Sequence, residues 1–167
     1  TRWINKPTAL DAVWLAGSVI LFTHSYAYYY DMPGLPQTVI KPEYEAACRD
    51  FYANKTGWEQ LQPQIPGKIA DLVQKDVVAR SSAGMDAFFR RLRENQAFMW
   101  RSVTPCRYYY GKVDEVMPPY VATLAVGYTE AAGGAQAEAV YAGDVADHRG
   151  AFLYGVKDQK DFFFFLC

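Results

Sequence analysis

Hydrophobic and polar positions along the chain change their period once, near Arg101, and that change divides the sequence into a helical part and an α/β part. Before it, segments with apolar residues at three- and four-residue spacing alternate with Pro/Gly turns. Thr8 is placed to cap a helix that runs through Ala16 and stops at the MPGLP turn, Met32 to Pro36. Pro42 suits a first helical turn, and EYEAACRDFYAN then carries Tyr44, Ala47, Cys48, Phe51 and Tyr52 on one face. QPQIPG, Gln62 to Gly67, predicts a linker. KIADLVQKDVVAR and MDAFFRRLRENQAF predict two more amphipathic helices, the second with Phe88, Phe89, Leu92 and Ala97 or Phe98 on one side. No strand signal occurs in this part.

After Arg101 the pattern becomes strand, loop, helix, strand, loop, helix. VTPCRYYYG is a β-rich run ended by Gly111, and its proline suits the start of a strand. The polar VDEVMPP follows, then the helical YVATLAVGYTEAAGG closed by Gly133 and Gly134, and the alternating AEAVYAG. DVADHRG and a terminal helix, GAFLYGVKDQKDFFFFL, complete the chain. Two strands joined by a right-handed helical crossover make one parallel α/β unit. Parallel sheets are covered on both faces and need several strands, so the remaining strands are expected in another chain or in a removed part of this one. The start TRWINKPTAL, without methionine or a leader-like pattern, gives the same expectation of a piece of something longer.

Composition narrows the classes. The 167 residues are 51% hydrophobic and 16% aromatic, which excludes disorder, and 17 basic against 18 acidic side chains give a formal net charge of −1. Nothing in that balance offers a footprint for nucleic acid or an anionic membrane surface. Leu10 to Tyr30 is the nearest thing to a membrane span, but Asp11 and His24 interrupt it and tyrosines crowd its end. A buried helix is the better expectation, and no membrane span is assigned. Cys48, Cys106 and Cys167 show no metal-ligand spacing. Their odd number leaves one thiol free or joined to another chain, whether or not the other two form a bridge. No cofactor or metal is called for.

The two loops at the C-terminal ends of the strands are where ligands sit in open α/β sheets. GKVDEVMPP presents Asp114 three residues after Gly111, and GDVADHRG presents His148 five residues after Gly143. Parallel neighbouring strands would bring the two together. A carboxylate that receives the imidazole N–H fixes the tautomer and leaves the other nitrogen free as a general base. Asp147 is the alternative acid, Asp144 reads as a loop former or cap, and Glu115 as a solvated residue or a support to its neighbour. His24 reads as a hydrogen-bonded helical histidine. Trp14, Tyr28 and Tyr29 are candidates for lining an acyl or aromatic pocket, although packing would also account for them.

YYYGKVDEVMPP, a helix, a strand and ADHRG before a terminal helix together resemble the C-terminal section of an α/β-hydrolase. The likeness implies that Asp114 is the triad acid and His148 the triad base. The upstream PEYEAACRDFY and RENQAFMWRSVTP resemble the helical lid insertion of bacterial secretory lipase and esterase relatives. The implied organisation is a lid or cap over residues 1–102 and a core section over 103–167, in which the partner chain completes the sheet. The implied activity is that of a serine hydrolase cleaving small carboxylic esters, with a secreted or periplasmic setting. The likeness lacks one part: no G-x-S-x-G elbow occurs, and Ser18, Ser25, Ser81, Ser82 and Ser102 follow no expected strand. The nucleophile is therefore expected on an N-terminal partner chain. A peptidase or amidase of the same fold, a non-catalytic binding module, and an N-terminal hydrolase using Thr1 are the other readings left open.

Overall fold

A computed structural model describes residues 14–79 and 85–164 of the chain. They fall into two compact units, Thr1–Glu94 and Asn95–Cys167.

The first unit is helical. Helix α1, Leu15–Tyr29, buries Leu15, Ala16, Ile20, Thr23 and His24 at three- and four-residue spacing. Its other face leaves Leu21, Phe22, Tyr28 and Tyr29 exposed, so burial is one-sided although apolar residues surround the helix. The expected cap at Thr8 lies outside the described residues. Among those described, no helix is long and apolar enough to cross a membrane. His24 donates from Nδ1 to the Ile20 carbonyl, 3.0 Å away, and stacks on Tyr52 with ring centroids 4.9 Å apart. Gly34, at φ +82°, makes the MPGLP turn and is followed at once by the short α2, Leu35–Val39, whose second residue is Pro36. Helix α3, Pro42–Tyr52, starts at the expected proline.

The linker and the segment after it differ from expectation. Residues 58–64 fold as α4, Trp58–Leu61, and a 3-10 turn, Gln62–Gln64. KIADLVQKDVVAR is two short helices, α5, Ile69–Leu72, and α6, Lys75–Ala79. The break has a tertiary cause. Val73 is extended and forms an isolated antiparallel bridge with Ile40, flanked by Lys41 N–H to Leu72 O at 3.0 Å and Gln74 N–H to Val39 O at 2.9 Å. Burying two β-branched side chains in that bridge outweighs the local helical period. Helix α7, Asp86–Glu94, closes the unit and stops before Ala97 and Phe98.

The second unit contains the sheet. Strands β1, Cys106–Tyr110, and β2, Ala137–Tyr141, pair in parallel with Cys106 opposite Ala137 and Tyr110 opposite Tyr141. The crossover helix α8, Tyr120–Ala131, packs across both strands. The terminal helix α9, His148–Phe164, packs on β1. A Cβ on Gly155 would stand 2.8 Å from the Tyr109 ring, so a residue without a side chain lets α9 approach the strand. The Arg107 guanidinium bonds Asp158 of α9 at 2.6 Å and Glu138 of β2 at 3.0 Å, and the Tyr109 hydroxyl donates to Asp158 at 2.9 Å. Burial and then the Asp158 bond push the Tyr109 phenol up.

Where β1 ends, Gly111 passes the loop after β2 so closely that a Cβ there would meet the Ala146 carbonyl at 1.9 Å. Gly111→Ala is expected to destabilise the protein by at least ~2 kcal/mol in urea unfolding, because the clash is with backbone and cannot be relieved by a rotamer. An unchanged midpoint would contradict that. Cys48 is fully buried and, by burial first and the nearby Glu45 second, its thiol is pushed up to about 12. The fold thus favours the neutral thiol, whose contribution to stability holds below the ordinary 9.0 and declines as pH rises from there towards about 12. At pH 8 iodoacetamide should label Cys106, which is only half-buried, well before Cys48; peptide mass spectrometry reads the order.

Candidate active site

Parallel pairing brings the C-terminal ends of β1 and β2 to one edge, and the loops leaving them carry the acid and the histidine. Lys112 N–H bonds Gly143 O at 3.2 Å and Val113 N–H bonds Ala146 O at 3.3 Å, so the ladder continues past the strands into both loops. Outside it, Asp144 accepts from the Lys112 ammonium and from the Tyr141 hydroxyl, each at 2.8 Å. The lysine bond first, then the tyrosine, holds the Asp144 carboxyl below its usual range. That aspartate fastens one loop to the other.

Asp114 follows immediately. Its side chain is 2% exposed, and Oδ1 accepts the backbone N–H groups of Val116 at 2.9 Å and Met117 at 2.7 Å. This is the turn that a short acidic side chain makes with its own following backbone. The remaining capacity of the carboxylate is directed at His148, whose Nδ1 is 3.2 Å from both Oδ1 and Oδ2. Since a carboxylate can only accept, Nδ1 carries a proton in this contact, which in the neutral imidazole leaves Nε2 as the acceptor nitrogen. The imidazole is 47% exposed, so the pair has one buried and one accessible end.

His148 is the first residue of α9, two residues earlier than the terminal segment's pattern placed the helix. Asp147 explains the shift. Its Oδ1 accepts Gly150 N–H at 2.7 Å and its carbonyl accepts Ala151 N–H at 2.9 Å, which makes it the helix cap. The alternative acid is therefore occupied by the helix terminus. Glu115, whose part the sequence left undecided, takes the backbone N–H of His148 on Oε2 at 3.1 Å.

Asp114 and His148 lie on the wall of a cleft of about 670 Å³ formed by residues of the second unit. Phe98, Tyr108, Met117, Val121, Phe152 and Val156 give it an apolar lining, within the ~300–1,000 Å³ range typical of small-molecule sites. Sequence reasoning did not find this lining, because its members come from a loop, a strand and two helices with no shared spacing. Trp14, Tyr28 and Tyr29 are in the first unit, where Trp14 precedes α1 and the two tyrosines, each 76% exposed, pack edge to face at 5.0 Å. Among the described residues no three His, Cys, Asp or Glu side chains cluster to hold a metal ion.

The described serines are placed differently. Ser18 and Ser25 are inside α1. Ser102 precedes the N-terminal end of β1, is buried, and donates to Thr104 O at 2.7 Å. A five-residue strand spans roughly 16 Å, so Ser102 is at the far end of β1 from the Asp114–His148 pair. Ser81, Ser82 and Thr1 lie outside the described residues.

No protein-family model and no curated protein matches the chain. Two solved structures do. One is a candidate hydrolase from Legionella pneumophila, with a TM-score of 0.76 and 15% identity over 97% of this chain. The other is LipA, a rice cell wall degrading esterase from Xanthomonas oryzae, with a TM-score of 0.63 and 18% identity over 95% of this chain. The chain spans 43% of the length of each. It has, over nearly its whole length, the fold of a segment of bacterial hydrolases.

Proposed function

We propose that the chain is the acid–base section of an α/β-hydrolase that cleaves carboxylic esters with a Ser-Asp-His triad. The observation that carries this reading is the Nδ1 contact of His148 with both oxygens of the buried Asp114 carboxylate, across the ends of two parallel strands. The nucleophilic serine and the oxyanion hole are supplied by sequence outside these residues, on an N-terminal partner chain. Two features favour that division. Ser102, the described serine of the second unit, is remote from His148, and among the described residues the sheet has two strands, β1 and β2. Further strands on the partner chain complete the sheet. The first unit is read as the lid insertion, and Trp14, Tyr28 and Tyr29 are its candidates for recognising the acyl or aryl group.

In the reaction the partner's serine attacks the ester carbonyl while His148 Nε2 takes the hydroxyl proton. Asp114 holds the ring and stabilises the imidazolium. The tetrahedral intermediate collapses as His148 returns the proton to the leaving alcohol. Water then attacks the acyl-enzyme with the same base, which releases the acid and regenerates the serine. The aromatic, apolar character of the lid segment favours an ester with an apolar acyl or aryl group over a charged peptide end.

In the protein assembled with its serine-bearing part, His148→Ala should abolish hydrolysis of a short p-nitrophenyl ester without releasing that part. Wild-type turnover in that variant would end the reading. Asp114→Asn should lower kcat on the order of 10⁴-fold by favouring the wrong tautomer. Asp147→Asn should stay within about threefold of wild type apart from its effect on the helix cap, and a loss confined to Asp147→Asn would move the acid role there.

A further inference from the structure

We infer that Glu115 is a positioning residue for the same site: it fixes the main chain of His148 while Asp114 fixes the ring. This rests on the triad reading above. Two adjacent residues of one loop hold one histidine at two points. Glu115 Oε2 accepts the His148 N–H at 3.1 Å, and Asp114 accepts from Nδ1 at 3.2 Å. Each contact alone leaves a freedom that the other removes. With only the ring bond, α9 could shift at its first turn and carry Cα of His148 with it. With only the backbone bond, a side chain that is nearly half exposed could swing about χ1 and χ2.

The N-terminus of α9 shows why a residue from outside the helix is needed. Asp147 Oδ1 takes the N–H of Gly150, one of the first four that an α-helix leaves without an internal partner, while its carbonyl accepts the first internal bond, from Ala151. The His148 N–H is another of those four, and its acceptor comes from the loop after β1 rather than from the helix cap. That loop is itself tied by hydrogen bonds. Asp114 binds Val116 and Met117 N–H, so Glu115 lies inside a closed turn, and Val113 N–H is tied to Ala146 O just before the helix. The carboxylate of Glu115 thus transmits the position of β1 to the first residue of α9. It also places negative charge at the helix start, where the dipole favours it.

The bond to His148 requires an acceptor and not a charge, which separates the variants. In the assembled hydrolase Glu115→Ala should lower kcat on the order of tenfold, the equivalent of one hydrogen bond, with KM and the thermal midpoint little changed. Glu115→Gln, which keeps an acceptor oxygen, should restore kcat to within about threefold of wild type. A second measurement does not depend on catalysis: amide exchange at His148, followed by NMR, should speed up in Glu115→Ala and stay slow in Glu115→Gln. Wild-type kcat and exchange in Glu115→Ala would overturn the inference, and so would an equal loss in both variants. If His148→Ala retains turnover, the triad reading fails, whereas the exchange result still decides whether Glu115 holds the His148 backbone.

Discussion

The parallel register of β1 and β2 is the constraint on which the rest of the site depends. Cys106 opposite Ala137 and Tyr110 opposite Tyr141 make both strands end at the same level, so the loops that follow start side by side. Antiparallel pairing would have sent Asp114 and His148 to opposite ends. The loops then approach at backbone distance, because Gly111 has no Cβ to strike the Ala146 carbonyl, and their hydrogen bonds continue the ladder to Val113. From there Asp114 follows Val113 directly, and one residue, Asp147, separates Ala146 from the histidine.

Burying Asp114 is costly unless its oxygens are satisfied, and the structure satisfies them asymmetrically. Backbone N–H groups of its own turn fix the carboxylate, and the imidazole completes its shell from one side. The result is a carboxylate that cannot rotate and a histidine whose accessible nitrogen is directed by what its buried nitrogen does. The same economy appears at α9, where Asp147, Glu115 and Asp114 each take a different donor near the helix start. Three acidic residues close in sequence or space therefore have three separate tasks.

Much of this was legible in the sequence, for identifiable reasons. Gly111 and Gly143 bracket strands whose β-rich and alternating residues are local signals, and the loop positions of Asp114 and His148 follow from counting after them. Pro42 marked a helix start because its fixed φ suits a first turn. What could not be read was decided by contacts distant in sequence. The Ile40–Val73 bridge splits a continuous amphipathic pattern, and nothing within thirty residues of either partner announces it. The cleft wall draws on Phe98, β1, α8 and α9 together. Glu115 and Asp114 are adjacent and chemically alike, and their division of labour becomes visible only when the first turn of α9 is in place.

The hydrolase fold comes from likeness to longer proteins, and the chemistry proposed for it turns on whether His148 activates a serine carried elsewhere. The most direct measurement is the rate of labelling of the assembled protein by a fluorophosphonate, followed by identification of the modified residue. The account predicts rapid, stoichiometric modification of one serine on the partner sequence, slowed by orders of magnitude when His148 is replaced by Gln. Labelling that is absent, or that proceeds equally fast without His148, would contradict it.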